Sequence, residues 1–395
     1  MGRRASGLIA VAVLVAAAGP VLADVGGSWR YHDLWCFYHG GSAVIRGVDP
    51  YDGPTWAMLT DDPSRLADPR GVKAPCPGAF AYPYWSALAF APLALLPYDA
   101  AAGVWGALLL AGAIGGIALV IRATHAPALL VAAIAAGSLS FIQVLAFGQL
   151  TGVLLPLLGL SLVARPSRAG VAAALLFLKP QLAGLYAPAL LWRADVRYVR
   201  STIAALVVLA AASVGAFPAW LGEWLRELTT NRAEIARPLP TAAGLATLLF
   251  GDARFAVVFI AVLIAGVALL ARGRRIDRAT YGAIAIAVSL FAVPYAYSYD
   301  HLFLVLPWAV IAAAAARSDS RRRRLLLAGL VSAAILVPWA IFAISFDSRS
   351  DTLNAVVPAL AALLATVSAP RGATMGPWQK TPPPSSPTPK SRRRS

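Results

Sequence analysis

Long apolar runs separated by short polar segments fill most of the chain, from Ser6 to Ser368. The hydrocarbon of a bilayer is about 30 Å thick and needs roughly 20 apolar residues per helical crossing, so these runs predict many transmembrane helices. They are continuous stretches of Leu, Ala, Val and Ile. Strands of a membrane β-barrel alternate apolar and polar positions, so the pattern excludes a barrel. We predict an all-α polytopic membrane protein.

The number of crossings follows from the runs and from the charges at the two ends. The expected spans are 6–23, 100–121, 126–146, 150–164, 169–192, 201–219, 255–271, 280–296, 302–316, 325–346 and 353–368. Both ends of the chain carry arginines and are predicted to be cytoplasmic, which requires an even number of spans. Either residues 84–96 are a further short crossing or the segment around Gly148 is re-entrant, so the expected total is about 10–12 helices.

The first span has a second interpretation. Two arginines, an apolar core and the sequence Val21-Leu22-Ala23 are also typical of a cleavable signal peptide. If residues 1–23 are removed, the mature N-terminus lies outside and an odd number of spans is correct. The sequence leaves both alternatives open.

The net charge of the chain is a topology signal. Hydrophobic residues make up 59% of the chain and charged residues 13%, yet the formal net charge is +16. Twenty of the 34 Lys and Arg residues lie in the segments 1–4, 193–200, 272–278, 317–324 and 371–395. Basic loops stay in the cytoplasm, so the charge records orientation and no nucleic-acid partner is expected.

Two polar segments flank the predicted membrane domain, residues 1–370. Residues 24–81 form a long extracytoplasmic loop in which 35–46 are predicted to be an amphipathic helix on the membrane surface. Cys36 and Cys76 both lie in this loop, and an oxidising compartment would permit a disulfide between them, although two free thiols are equally compatible with the sequence. Residues 371–395 are rich in Pro, Ser and Arg and are predicted to be a disordered cytoplasmic tail.

Polar residues near or within apolar runs cost several kcal/mol unless they are used or satisfied, so they indicate where chemistry takes place. Asp33 is surrounded by aromatic residues, and an apolar wall raises the proton affinity of a carboxylate and suits a general base. Lys179 precedes Pro180 in the middle of a span, where proline breaks the helix and a cation suits a phosphate or a carboxylate partner. His301 begins a helix at the outer face and could donate a hydrogen bond to a phosphate.

Four stretches containing these residues occur in an order that resembles a known family. They are Asp33 with Gly47-Val-Asp-Pro-Tyr; Phe80-Ala-Tyr-Pro-Tyr-Trp-Ser with Pro92-Leu-Ala-Leu-Leu-Pro; Gly148-Gln-Leu-Thr-Gly with Leu178-Lys-Pro-Gln; and Ser298-Tyr-Asp-His. The chain resembles the GT-C membrane glycosyltransferases, specifically glycosyltransferase family 87, which includes α-1,2-mannosyltransferases. The family pattern often has two adjacent histidines and an Asn in the Gly-Gln motif, where this chain has Asp300 and Thr151.

The resemblance implies a GT-C-like bundle whose active site faces the outside of the plasma membrane. Asp33 is then the general base, Lys179 and His301 bind the donor phosphate, and Tyr51, Tyr82 and Gln149 bind substrate. A hexose such as mannose passes from a polyprenyl-phosphate donor to a glycolipid or polysaccharide acceptor. No metal or cofactor is expected, because the leaving group carries one phosphate that a protein cation can meet.

A multi-pass lipid or solute transporter is the alternative function. Such a protein would also place polar groups within the membrane, but transporters tend to show paired halves with matching broken helices. The sequence indicates one broken helix, at Lys179, together with an outer loop longer than a transporter needs.

Overall fold

The structure of the protein is a computed structural model that describes residues 3–25, 33–61, 76, 78–191, 195–230, 239–345 and 350–371. Within these ranges every regular element is a helix, as predicted. Hydrocarbon offers no hydrogen-bond partners, and an α-helix satisfies its backbone N–H and C=O groups internally. Most of the predicted tail, residues 371–395, lies outside the described residues, as do 26–32 and 62–75 of the outer loop.

The helices follow one another with short connections. In chain order they are α1 (Arg3–Val25), α2 (Asp33–Arg46), α3 (Gly53–Thr60), α4 (Tyr84–Ala94), α5 (Tyr98–Thr124), α6 (Ala128–Gly137), α7 (Leu139–Phe147), α8 (Leu150–Val163), α9 (Pro166–Leu175), α10 (Pro180–Ala183), α11 (Tyr186–Leu191), α12 (Val196–Ala216), α13 (Trp220–Thr230), α14 (Ala242–Phe250), α15 (Ala256–Ala271), α16 (Arg278–Ala292), α17 (Val305–Ala316), α18 (Arg321–Ser345) and α19 (Val356–Ser368). Short 3₁₀ helices occupy Leu176–Leu178, Ala253–Phe255, Ser298–Leu304 and Thr352–Ala355.

Several helices are long and apolar enough to cross a membrane. Among the described residues these are Ala5–Leu22, Tyr98–Thr124, Val196–Ala216, Ala253–Ala271 and Ser298–Ala316, and the pair α6 and α7, bent by 61°, is either a broken sixth span or a re-entrant loop. Five shorter apolar helices accompany them. One of these five belongs to the hairpin of residues 166–191 described below.

Residues 166–191 enter the bundle and turn back. Two residues of α8 show how far this segment travels. Thr151 and Ser161 are ten residues apart on the helix and therefore about 15 Å apart along its axis. Lys179 hydrogen-bonds the Thr151 hydroxyl, and only seven residues later the Tyr186 hydroxyl lies 2.7 Å from the Ser161 hydroxyl. The segment thus reaches one end of α8 at Lys179 and returns to the other at Tyr186.

This hairpin corrects the predicted topology. The expected span 169–192 does not cross as one helix, because Pro180 has no backbone N–H and the chain breaks and reverses at Lys179. The turn at Gly148 joins α7 to α8. Helix α4, with 11 residues, spans only about 17 Å and is too short to be the additional crossing.

Helix α2, the predicted amphipathic helix, packs against protein along one face. A methyl group at Gly41 would stand 2.5 Å from the backbone oxygen of Phe90, and one at Gly40 would meet the ring of Phe80. These two glycines let α2 approach α4 closely, and the rings of Phe37 and Phe90 stack with centroids 4.8 Å apart. The start of α2 is therefore held within the folded core.

Helices α5 and α8 also pack through small residues. A methyl group added at Gly112 would stand 2.8 Å from the backbone oxygen of Gly152, and one added at Gly116 would overlap Leu155. In a bilayer the hydrophobic effect does not drive helices together, and close approach through small residues supplies van der Waals contact instead. This pair fixes the position of the start of α8.

Gly112→Ala is expected to destabilise the protein, whereas Gly115→Ala on the same helix is expected to leave it unchanged or slightly more stable. Gly115 has no neighbouring atom within 4 Å of the added methyl group, so it is a matched control for helix propensity. Overpacking at Gly112 should cost about 1–3 kcal/mol. Thermal unfolding in detergent measures both, and equal midpoints for the two variants would contradict the close α5–α8 contact.

Candidate active site

Asp33 is the first residue of α2, which lies outside the membrane-spanning helices. The Gln149 side-chain amide donates a hydrogen bond to Asp33 Oδ2. Asp33 remains partly accessible to solvent. The predicted general base thus has a partner 116 residues further along the chain, at the residue that precedes α8.

Gln149 is held in place by its backbone. Gly148 ends α7 in a left-handed conformation with a φ of 65°, which a residue without a side chain adopts at no steric cost. The Gly148 carbonyl accepts a hydrogen bond of 2.8 Å from Trp105 Nε1, and the Gln149 amide N–H donates to Val144 at 2.9 Å. The side chain of Gln149 therefore projects from a fixed turn at the start of α8.

Lys179 stands at the tip of the hairpin, where the helix is broken. A break leaves carbonyl groups without helical partners, and these need other donors inside the membrane domain. Trp85 Nε1 donates to the Phe177 carbonyl at 2.8 Å and the Ser86 hydroxyl donates to the Leu178 carbonyl at 2.7 Å. Two side chains of α4 thereby stabilise the conformation that presents Lys179.

The Lys179 ammonium is fully buried and makes three hydrogen bonds. Its acceptors are Gln149 Oε1 at 3.1 Å, the Thr151 hydroxyl at 3.1 Å and Asp300 Oδ1 at 2.6 Å. The ammonium also lies 4.6 Å from the centre of the Tyr299 ring. Of the two partners that the sequence suggested, a phosphate or a carboxylate, the structure contains a carboxylate.

Asp300 is likewise fully buried and has both oxygens occupied. Oδ1 accepts from Lys179 and, at 2.7 Å, from the Thr151 hydroxyl, while Oδ2 accepts from the Tyr297 backbone N–H at 3.2 Å. Asp33, Gln149, Thr151, Lys179 and Asp300 thus form one connected set, which we call the polar cluster. Thr151 and Asp300, the two departures from the family pattern, hydrogen-bond each other.

The electrostatic environment of Asp33 suits a proton acceptor. Burial raises the pKa of this carboxyl from 3.8 to about 7, Lys179 opposes the rise and Asp300 adds to it. A carboxylate with a pKa near neutrality accepts a proton more readily than an ordinary Asp does.

Tyrosines line the approach to Asp33. Tyr295, Tyr297 and Tyr299 alternate along the segment before α17, with neighbouring ring centroids 5.2 and 5.0 Å apart. Tyr82 belongs to the same surroundings and hydrogen-bonds the side chain of Gln181. Tyr51 contacts this group through Tyr82, because its hydroxyl donates a hydrogen bond of 2.8 Å to the Tyr82 carbonyl.

His301 is directed away from the polar cluster. Neighbouring residues in a 3₁₀ helix point about 120° apart, so Asp300 and His301 face different sides. His301 lines a separate cavity of about 20 Å³ together with Trp308 and Pro338, and it hydrogen-bonds the backbone of Pro240. The structure therefore does not bring His301 together with Lys179.

A disulfide fixes the outer loop next to the polar cluster. Cys36 and Cys76 are bonded, and Cys36 is one helical turn after Asp33 on α2. Trp56 Nε1 donates to the Cys76 carbonyl at 3.1 Å, which attaches α3 to the same point. The described residues contain no group of three or more His, Cys, Asp or Glu side chains arranged to hold a metal ion.

Residues 80–297 match the family described as Glycosyltransferase family 87, and the match covers more than half of the chain. The matched range includes Tyr82, Gln149, Thr151 and Lys179, while Asp33 lies 47 residues before its start and Asp300 three residues after its end. No curated protein and no solved structure gives a significant match.

Proposed function

The chain belongs to glycosyltransferase family 87, and from this membership we propose that it transfers a hexose, such as mannose, from a polyprenyl-phosphate donor to a glycolipid or polysaccharide acceptor. Membership makes the protein a glycosyltransferase, an enzyme of the transferase class. Its several apolar helices make it a multi-pass membrane protein. The donor, the acceptor and the residue roles given below are part of the proposal.

One observation supports the proposal most strongly, namely that Asp33 is the accessible member of the polar cluster. Lys179 and Asp300 are fully buried, whereas Asp33 is partly accessible and accepts a hydrogen bond from the Gln149 amide. A general base must be within hydrogen-bond reach of the proton that it removes. Among the five residues of the cluster, Asp33 meets this requirement best.

The proposed reaction is a single displacement at the anomeric carbon. Asp33 accepts the proton of the acceptor hydroxyl as its oxygen bonds to the anomeric carbon. The bond from that carbon to the phosphate oxygen breaks, and its electron pair leaves with polyprenyl phosphate. Tyrosine rings stack against sugars and their hydroxyls donate hydrogen bonds, so Tyr82 and the 295–299 segment are suited to hold the transferred hexose.

The position of the arginines supports an extracytoplasmic site. Arg278 donates a hydrogen bond to the Ser161 carbonyl, near the end of α8 that is remote from Lys179. Arg274, four residues earlier in the chain, donates to the carbonyls of Val367 and Ala369 at the end of α19. Arginine-rich ends remain in the cytoplasm. The polar cluster is then on the outer side of the plasma membrane, with both chain termini inside.

The assignment of the donor phosphate to Lys179 and His301 stays a prediction. The ion pair with Asp300 and the direction of His301 give the phosphate no ready contact with either side chain. A transporter is disfavoured as the alternative, because the family to which the chain belongs is one of glycosyltransferases.

Asp33→Asn is expected to lower kcat by about 100- to 10,000-fold, the usual contribution of a general base. The Asn side chain can still accept the hydrogen bond from Gln149, so the fold and donor binding should persist. Transfer of labelled sugar from a polyprenyl-phosphate hexose in proteoliposomes is the measurement. Asp61→Asn, at an exposed carboxylate after α3, is the matched control, and wild-type turnover by Asp33→Asn would refute the role.

The rate is also expected to depend on pH. Only the ionised form of Asp33 accepts a proton, and its pKa is raised to about 7, so kcat should rise between about pH 6 and 8. Below the midpoint the rate should fall about tenfold per pH unit. A kcat that is constant from pH 5 to 8 would show that the group removing the proton has an ordinary carboxylate pKa.

A further inference from the structure

Lys179 has no hydrogen-bonding capacity left for a substrate. An ammonium group carries three N–H donors and no acceptor. Gln149, Thr151 and Asp300 take all three, and the side chain has no solvent-accessible surface. A donor phosphate would have to displace one of these partners, so the cation is placed to act on a neighbour within the protein.

Gln149 is the partner that leads from Lys179 to the reacting carboxylate. A side-chain amide has an acceptor oxygen and a donor nitrogen, and an ammonium can bind only the oxygen. Because Lys179 holds Oε1, the NH₂ group must face the other way, where it donates to Asp33. The cation thereby decides which end of the amide the base meets.

Asp300 and Thr151 fix the position of the Lys179 ammonium. The Lys179–Asp300 ion pair is fully buried on both sides, and such a pair persists only when its remaining hydrogen bonds are satisfied. The Thr151 hydroxyl donates to Asp300 and accepts from Lys179, which closes a three-residue ring. This ring keeps Nζ within reach of Gln149.

We propose that Lys179 is a positioning residue that acts on Asp33 through Gln149, with Asp300 as its counter-ion, and that it does not bind the donor phosphate. The inference rests on the proposed function for its catalytic consequence, because Asp33 is the base only in that reaction. Its structural content, a fixed amide and a fixed charge behind Asp33, is independent of the substrate.

The two charges of the ion pair should move the titration of Asp33 in opposite directions. Lys179 favours its ionised form and Asp300 its protonated form, with Lys179 the stronger. The other titratable groups that face it are the phenols of Tyr82, Tyr295 and Tyr299, and burial raises the pKa of Tyr82 and Tyr295 well above its ordinary value. A shift caused by Lys179→Met or Asp300→Asn is therefore attributable to the ion pair.

The first test is the pH dependence of kcat in proteoliposomes. Lys179→Met should move the midpoint to higher pH, so that its rate relative to wild type is about tenfold lower at pH 6 than at pH 8.5, and Asp300→Asn should move the midpoint to lower pH. Each single variant leaves a buried charge without its partner and could misfold for that reason. The double variant Lys179→Met/Asp300→Asn removes both charges and is the control. Its midpoint should lie between that of wild type and that of Lys179→Met.

The second test is a double-mutant cycle for kcat at pH 8.5, where Asp33 is ionised. If Lys179 acts through Gln149, then Gln149→Leu and Lys179→Met together should lose no more activity than Gln149→Leu alone. A donor-phosphate role would instead raise the KM for the donor in Lys179→Met, and the two losses would multiply. Unshifted midpoints together with multiplying losses overturn the proposal.

Infrared titration of the Asp33 carboxyl band separates this inference from the proposed function. The band is identified by its loss in Asp33→Asn, and its midpoint is read in detergent without any substrate. Opposite shifts in Lys179→Met and Asp300→Asn support the electrostatic role even if no sugar is transferred. Equal midpoints in an enzyme that does transfer sugar overturn the inference and leave the proposed function intact.

Discussion

The burial of one ammonium group constrains the rest of the site. Lys179 cannot reach water, so the fold has to supply an acceptor for each of its protons and a compensating charge. Gln149, Thr151 and Asp300 meet this requirement from two other elements. The need to satisfy Lys179 therefore brings together the start of α8, the hairpin tip and the 3₁₀ helix before α17, and through Gln149 it reaches Asp33.

The surrounding structure keeps these elements in register. The α5–α8 contact through glycines positions the start of α8, and the carbonyls freed at the hairpin tip are bonded by Trp85 and Ser86. The glycine face of α2 and the Cys36–Cys76 bond hold Asp33 at the start of α2. For the proposed base, such a fixed position is the arrangement that preorganised catalysis requires.

The sequence identifies individual residues of this site, but it does not predict which residues they contact. Pro180 predicts the break, and a lysine in an apolar run predicts a carboxylate or phosphate partner, because both follow from local chemistry. The return of the hairpin could not be predicted, since a span of apolar residues looks the same whether it crosses or doubles back. The direction of His301 was also hidden, because it depends on a 3₁₀ turn in place of an α turn.

We propose that sugar transfer takes place at Asp33 and the polar cluster behind it. The most direct test is a cryo-EM structure of the protein with a non-transferable polyprenyl-phosphate hexose analogue and an acceptor. We expect the acceptor hydroxyl to be in hydrogen-bond contact with Asp33 and to face the anomeric carbon, with Lys179 still bonded to Gln149 and Asp300. A sugar bound elsewhere, with Asp33 remote from the anomeric carbon, would contradict this proposal.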